Sequence, residues 1–478
     1  MTLLIKNGLV VDGTGSEPAR ADVFVSGERI SAIGNLSGKR ADEVIDAQGM
    51  YVTPGFIDAH SEIDHRLEVL RGLEHTCLEE GVTTAIGGHD GMSLAPLLYG
   101  DLALFAWQTH IARANVNWHT MKEFKTVLQR KKLAVNFGTL AGYDTVRSAL
   151  AHDKARKMTK NESHVLRAVL ERSVKDGALG VSLGKEEQTM RVARGIVEIT
   201  EPASEGGASW MAQEVFRHAK EKNARVLVSG ATSPFHGDES EKLISFIEKS
   251  SAKGEVRVSV CPARSIPVPL IEFIPEEMRA GEPRTVRLKF RDAQFRTKLA
   301  KSFPVLDPKE TGISHDAQHT SLHGATLKEF MKWHGVADYR EGIIKLMEAS
   351  DFHAALLVPQ ERARVARAVN SPKSLIGSYG SRSAFGEYIA SAFGGDGASL
   401  AQAVKKITSE AAEFFGTKER GALKEKYFAD LVGVKDGRVQ FTAVNGRVAL
   451  KEGECTGIKT GKFLIPSAEG GSASGGNY

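Results

Sequence analysis

The residues with the clearest chemical potential stand at the exits of two apolar runs. Pro54-Gly55-Phe56-Ile57-Asp58-Ala59-His60-Ser61-Glu62 ends in an imidazole and a carboxylate. Gly88-His89-Asp90-Gly91 closes the run that starts at Val82 in the same way. Imidazole nitrogens and carboxylate oxygens are donors for a divalent cation. Three of His60, Glu62, His89 and Asp90, converging from adjacent strand tops, would suffice to hold Mg²⁺, Mn²⁺ or Zn²⁺ weakly.

Other reactive residues have a plainer reading. His315, His319 and His323 are spaced by four and would share one face of a helix, but Gly312 and Gly324 argue against a helix there. They read as a polar face. His236 follows an expected strand in Ser233-Pro234-Phe235-His236 and is a displaced candidate ligand. Cys261, at a strand exit, reads as a buried structural thiol rather than a nucleophile. Ser61 and Ser182 have no base identifiable in the sequence.

The elements that must position these groups follow a βα period. Short apolar strands alternate with amphipathic helices, which implies a parallel sheet. Eight strand ends are expected at Phe56 to His60, Thr83 to Gly88, Ala134 to Ala141, Ala178 to Gly184, Arg225 to Ala231, Arg257 to Arg264, Ala354 to Pro359 and Ser374 to Gly380. This fits an α/β protein with a (β/α)₈ TIM-type barrel over residues 53–424; a doubly wound sheet is the rival. An insertion at about 265–350, rich in Pro, His and charge, is placed to cover a site. Both ends of the chain carry short strands with Asp-Gly and Asn-Gly turns. Residues 1–52 and 425–465 are therefore expected to form one small β-sandwich domain. The Gly/Ser-rich residues 466–478 read as a disordered tail.

Composition narrows the partners. The chain has 478 residues, 41% hydrophobic and 26% charged, with a formal net charge of +4, ordinary values for a globular protein. Basic residues are dispersed, so nucleic acid is not expected. Three distant cysteines, Cys77, Cys261 and Cys455, argue against a disulfide framework. No apolar run approaches the roughly 18 residues that span a bilayer, and the N-terminal residues lack a signal-peptide pattern. The expectation is a cytoplasmic protein without membrane contact.

Taken together, several motifs resemble the N-acyl-D-amino-acid deacylase (D-aminoacylase) branch of the amidohydrolase superfamily. The opening Leu-Ile-Lys-Asn-Gly-Leu-Val-Val-Asp-Gly-Thr-Gly, the run Val52 to Asp58, Gly81-Val82-Thr83-Thr84, Gly142 to Arg147, Gly177 to Gly184, Thr408-Ser409 and Phe428 to Val432 carry the likeness over nearly the whole chain. The resemblance implies a metal held by His-x-His after strand one, a cysteine after strand two, a histidine after each of strands five and six, and an aspartate after strand eight that also serves as base. Carried over residue by residue, His60 is retained. Glu62 stands for the second histidine and Asp90 for the cysteine, while Gly230, Val260 and Tyr379 stand at the remaining positions. Tyr143 replaces a turn histidine. Lys185 could be a carbamylated bridging ligand, as in other branches, but Glu186 and Glu187 beside it favour a solvated lysine.

Two functional expectations follow. One is a non-catalytic, oligomeric partner of an active paralogue that keeps the cleft and holds little or no metal. The other is a hydrolase of amide or related C–N bonds, acting on an N-acylated amino acid through a reduced site at His60, Glu62 and Asp90, with zinc as the metal if active. In the second case a charged group on strand five, six or eight should face the cleft. A binding module for N-acylated amino acids is a third reading.

Overall fold

A computed structural model of the protein describes residues 1–72, 75–100, 102–107, 116–151, 156–184, 195–200, 207–230, 238–249, 255–279, 283–314, 322, 324–393 and 397–466. His236, His315, His319, His323 and Lys185 lie outside these residues.

Eight parallel strands form a nearly closed barrel. In chain order they are Phe56–Asp58, Val82–Gly87, Asn136–Gly142, Gly180–Ser182, Ile196–Thr200, Arg225–Ser229, Glu255–Val260 and Ser374–Ile376, each paired with the next. The Ala59 N–H donates to the Ile376 carbonyl at 3.0 Å and brings the eighth strand to the first. Strand residues such as Val226, Leu227 and Val228 are fully buried, as expected where both faces of a parallel sheet are covered. Flanking helices start with paired caps. Thr120 with Glu123 opens Met121–Lys131, and Thr159 with Glu162 opens Lys160–Lys175, each satisfying two otherwise orphaned donors.

The barrel corrects the strand numbering expected from sequence. The fifth strand is Ile196–Thr200, which the sequence reading missed. Arg225–Ser229 is therefore the sixth strand and Glu255–Val260 the seventh. Ala355–Pro359 is not a barrel strand: it pairs antiparallel with Ser265–Pro269 and Gly312–Ser314 in a separate three-stranded sheet. That sheet and the helices Ala293–Ser302, Leu327–Trp333 and Tyr339–Ala349 enclose their own core around Phe290, Phe330 and Phe352. A short buried strand has the same apolar signature in either setting, whereas Glu198 interrupts the apolar run of the true fifth strand.

Strands from both ends of the chain share a nine-stranded mixed sheet. Tyr51–Pro54 pairs with Thr2–Val10 on one side and with Leu431–Lys435 on the other. Among the described residues no helix is long and apolar enough to cross a membrane.

Candidate metal centre

All eight strands run the same way, so their C-terminal ends gather at one mouth, where sites in this fold form. His60, Glu62, His89 and Asp90 follow strands one and two. Glu198 is the central residue of strand five. Gly230 follows strand six, Val260 ends strand seven, and Tyr379 follows strand eight.

His60 is fully buried between two rings. His89 stacks on it at 4.0 Å between centroids and 17° between planes, and Tyr379 at 3.8 Å and 7°. Its Nε2 faces Asp90 Oδ2 at 3.2 Å. A carboxylate accepts, so that nitrogen carries the hydrogen, and Nδ1 is left buried without a partner. In His89, Nε2 meets the Ile86 carbonyl at 3.0 Å and must also carry its hydrogen, while Nδ1 again has no partner. The two imidazoles thus have their donors engaged and their Nδ1 atoms unmet. Burial holds the His89 pKa well below the usual histidine range, so that ring is neutral and its Nδ1 is a lone pair. Burial also opposes charge on His60, but the Asp90 carboxylate, with Glu198 and Glu62, outweighs it and raises the pKa.

Three carboxylates surround this pair. Burial pushes the Asp90 carboxyl up, but the charge and hydrogen bond of His60 overcome it and hold the group well below its ordinary range. Its Oδ1 accepts from Thr200 Oγ1 at 2.8 Å. Glu62 Oε2 is buried without a hydrogen bond, and burial raises its pKa. Glu198 accepts from the hydroxyls of Ser182 and Ser229; burial, and then the nearby Asp90 charge, push its pKa up to about 7. One ligand atom each from His60, His89 and Glu198 lie within 4.8 Å of one another, as do one each from His60, Glu62 and Asp90. The residues present thus fit a cation. They supply imidazole and carboxylate donors, and three of their buried atoms make no hydrogen bond.

The opposite wall is closed differently. The Tyr379 hydroxyl donates to the Ser259 carbonyl at 3.0 Å and accepts from the Gly230 N–H at 3.1 Å. Burial holds the phenol far above its usual pKa. Val260 is buried in the main core. Gly230 and Val260 thus offer no side-chain ligand, and Cys261 donates to the Ser378 carbonyl at 3.3 Å instead of facing the cluster.

Local geometry fixes these positions. Asp58 Oδ1 accepts from the His60 and Ser378 N–H groups at 3.1 and 2.9 Å, tying strands one and eight together. Gly377 has no room for a side chain, since a Cβ there would lie 2.5 Å from that of His60. Asp90 (φ 53°) and Tyr379 (φ 50°) both occupy the left-handed region, a conformation costly for such residues and concentrated at functional sites.

No protein-family model matches the chain. In sequence it is 29% identical over 282 residues to the D-aminoacylase of Alcaligenes xylosoxydans xylosoxydans, covering 54% of this chain and 57% of that protein. It is 33% identical over 204 residues to the N-acyl-D-glutamate deacylase of the same organism, covering 40% and 39%. The chain is thus similar to D-aminoacylases and N-acyl-D-amino-acid deacylases. The alignments span little more than half the length of these curated relatives, or less. A solved D-aminoacylase structure, described for its binuclear metal centre, superposes with a TM-score of 0.75 at 22% identity, over 97% of this chain and 99% of that one. The N-acyl-D-glutamate deacylase of Bordetella bronchiseptica, solved with zinc and a phosphonate inhibitor, gives 0.74 at 21% identity over the same shares.

Against the ligand pattern that the D-aminoacylase resemblance implies, the corrected numbering changes one conclusion. Strand five carries Glu198, so its contribution is a carboxylate, and Gly230 stands on strand six. Sequence reasoning placed a bare glycine on strand five because it skipped that strand. The signal was Glu198 itself, a lone charge inside Ile196-Val197-Glu198-Ile199-Thr200.

Proposed function

We propose that this D-aminoacylase-like chain hydrolyses an amide or related C–N bond of an N-acylated amino acid, at a centre rebuilt on strands one, two and five. The observation that carries this reading is the set of buried atoms that make no hydrogen bond, His60 Nδ1, His89 Nδ1 and Glu62 Oε2. The substrate class is taken from the relatives, and the metal would be zinc if that family habit is kept. His60, His89 and Glu198, with Glu62 and Asp90 beside them, are the residues that would hold the cation. When bound, such an ion polarises a carbonyl and acidifies a water. Glu198, with its pKa near 7, is suited to take and return a proton at neutral pH. It assumes the task that an aspartate on strand eight performs in the family pattern and that Tyr379 cannot. Asp90 stays ionised and orients His60, while Thr200 Oγ1 bridges it towards Glu198, 3.5 Å from Oε1.

The decisive experiment assays N-acetyl-D-amino acids with Zn²⁺ or Mn²⁺ added to chelator-treated protein. Turnover that needs metal and disappears in Glu198→Gln is the expected result. No turnover at saturating metal would overturn the reading.

A second reading is favoured by Tyr379. Its ring covers one face of His60, and a proton rather than a metal on His60 Nδ1 would balance Asp90. That state describes a metal-free, non-catalytic partner of an active paralogue in a mixed oligomer. Purified protein holding well under one equivalent of metal, with activity arising only beside a second protein, would support it.

A further inference from the structure

Ser182, the last residue of strand four, is fully buried and joins two parts of the metal centre that come from different strands. Its Oγ accepts from the Gly91 N–H at 2.7 Å, and its hydroxyl donates to Glu198 Oε2. A backbone N–H can only donate and a hydroxyl has one hydrogen, so both bonds have a fixed direction while Glu198 is ionised. The Gly91 N–H belongs to the turn that carries His89 and Asp90. That turn leaves strand two and crosses over strand three to reach strand four. The crossing needs glycines. A Cβ at Gly88 would lie 2.3 Å from the Leu140 carbonyl oxygen, and one at Gly142 would lie 2.4 Å from that of Gly91. The Gly91 carbonyl accepts from the Thr145 N–H at 3.2 Å, in the first turn of helix Tyr143–Ala151. Asp90, beside it, has a left-handed backbone that its surroundings must maintain. Glu198 has a second hydroxyl donor in Ser229, on strand six, at Oε1. Among the described residues Ser229 makes no hydrogen bond to the strand-two turn. Thr200 touches Asp90 at 2.8 Å but Glu198 only at 3.5 Å.

We propose that Ser182 is a positioning residue of the cation site: it holds His89 and Asp90, from strand two, at a set separation from Glu198, on strand five. The inference rests on the cation site proposed above. Both serines orient the carboxylate, but only Ser182 also ties it to the turn. Loss of Ser229 frees one ligand, whereas loss of Ser182 frees the relation between three. Groups that orient metal ligands in this way carry a large share of the affinity without touching the ion.

Calorimetric titration of chelator-treated protein with Zn²⁺ or Mn²⁺ tests this without any substrate, on variants whose circular dichroism matches wild type. Ser182→Ala should bind the cation about 10–100-fold more weakly, the usual loss for a group that orients ligands. Ser229→Ala should lose at least about threefold less, since it leaves the turn tied. Combined with Glu198→Gln, the effect of Ser182→Ala should fall short of the product of the two single losses, because one acts partly through the other. Should the alanine variant not fold, Ser182→Cys, with its weak thiol donor, takes its place in each comparison. Wild-type affinity in the Ser182 variant overturns the proposal. Equal losses at Ser182 and Ser229 do so too, as do losses that multiply fully with Glu198→Gln. Failure of the underlying reading looks different. Wild type that binds no cation overturns the cation site, and Ser182's role with it. Cation binding that follows the expected pattern without hydrolysis of N-acetyl-D-amino acids supports the role of Ser182 and overturns only the hydrolase.

Discussion

Two buried polar clusters sit at opposite ends of the barrel and are built on opposite terms. At the N-terminal end, Arg420 pairs with Asp430, and its Nη2 donates to Asn445 Oδ1 at 2.8 Å. Asn445 Nδ2 donates to Asn136 Oδ1 at 2.9 Å, and Asn136 Nδ2 to Asp430 Oδ2 at 3.2 Å and the Thr83 carbonyl at 3.0 Å. Arg420 also lies 4.0 Å over the Phe428 ring. None of the side-chain polar atoms of Asn136, Arg420, Asp430 or Asn445 is left buried without a partner. At the C-terminal mouth, His60, His89 and Glu62 each leave one unmet. A fully satisfied network stabilises and specifies; an unsatisfied one is costly, and persists where function needs the unmet atoms. The first cluster locks the terminal sheet to the barrel, and the second is kept ready for a ligand.

The largest test of this contrast is to break the closed network. Arg420→Ala strands the Asp430 carboxylate, and loss of one partner of a buried pair costs about 3–5 kcal/mol. Glu198→Gln, at the mouth, should change urea stability at pH 8 by less than about 1 kcal/mol in chelator, because the lost hydroxyl contacts are offset by release of a disfavoured buried charge. Equal losses at both ends would remove the distinction.

A pH series tests the same point with a somewhat smaller effect. The Glu198 pKa is raised from 4.5 to about 7, so its ionisation penalises the folded state. The penalty is absent below the unfolded value, grows between pH 4.5 and 7, and is complete above. Lowering the pH from 8 to 4.5 should therefore stabilise wild type relative to Glu198→Gln by up to about 3 kcal/mol. His60, with its pKa raised above 6.5, acts in the same direction: its stabilising contribution is full below the unfolded value and is lost as pH rises through the folded one. A flat difference between wild type and variant would refute the assignment of Glu198 as the titrating group.

The third effect is smaller and sharpens the comparison. A cation present at about a hundred times its Kd should stabilise wild type by about 2.7 kcal/mol. The same increment should survive in Arg420→Ala, despite its lower baseline, and vanish in His60→Ala. A gain retained in His60→Ala would place the cation elsewhere.

How much of this was legible beforehand differs from residue to residue. His60, Glu62 and Asp90 stand directly after glycine-punctuated apolar runs, so their place at a strand mouth could be read from local pattern. Glu198 could not, because a charge in the middle of a five-residue strand weakens the signal that marks it as a strand. Ala355–Pro359 misled for the converse reason: its apolar pattern says that it is buried, but not against what. The closed network was invisible, since Asn136 and Asp430 are 294 positions apart and neither is unusual in its own neighbourhood.

By itself the sequence determined the alternation of strand and helix and the pairing of both chain ends in one sheet. These are carried by period, turn residues and residue identity, all local. Only the tertiary structure decided which strand is fifth, that a carboxylate there meets two stacked imidazoles, and which polar atoms go unmet. Those depend on strand order and on the barrel bringing distant residues within a few ångströms, and no local propensity encodes that.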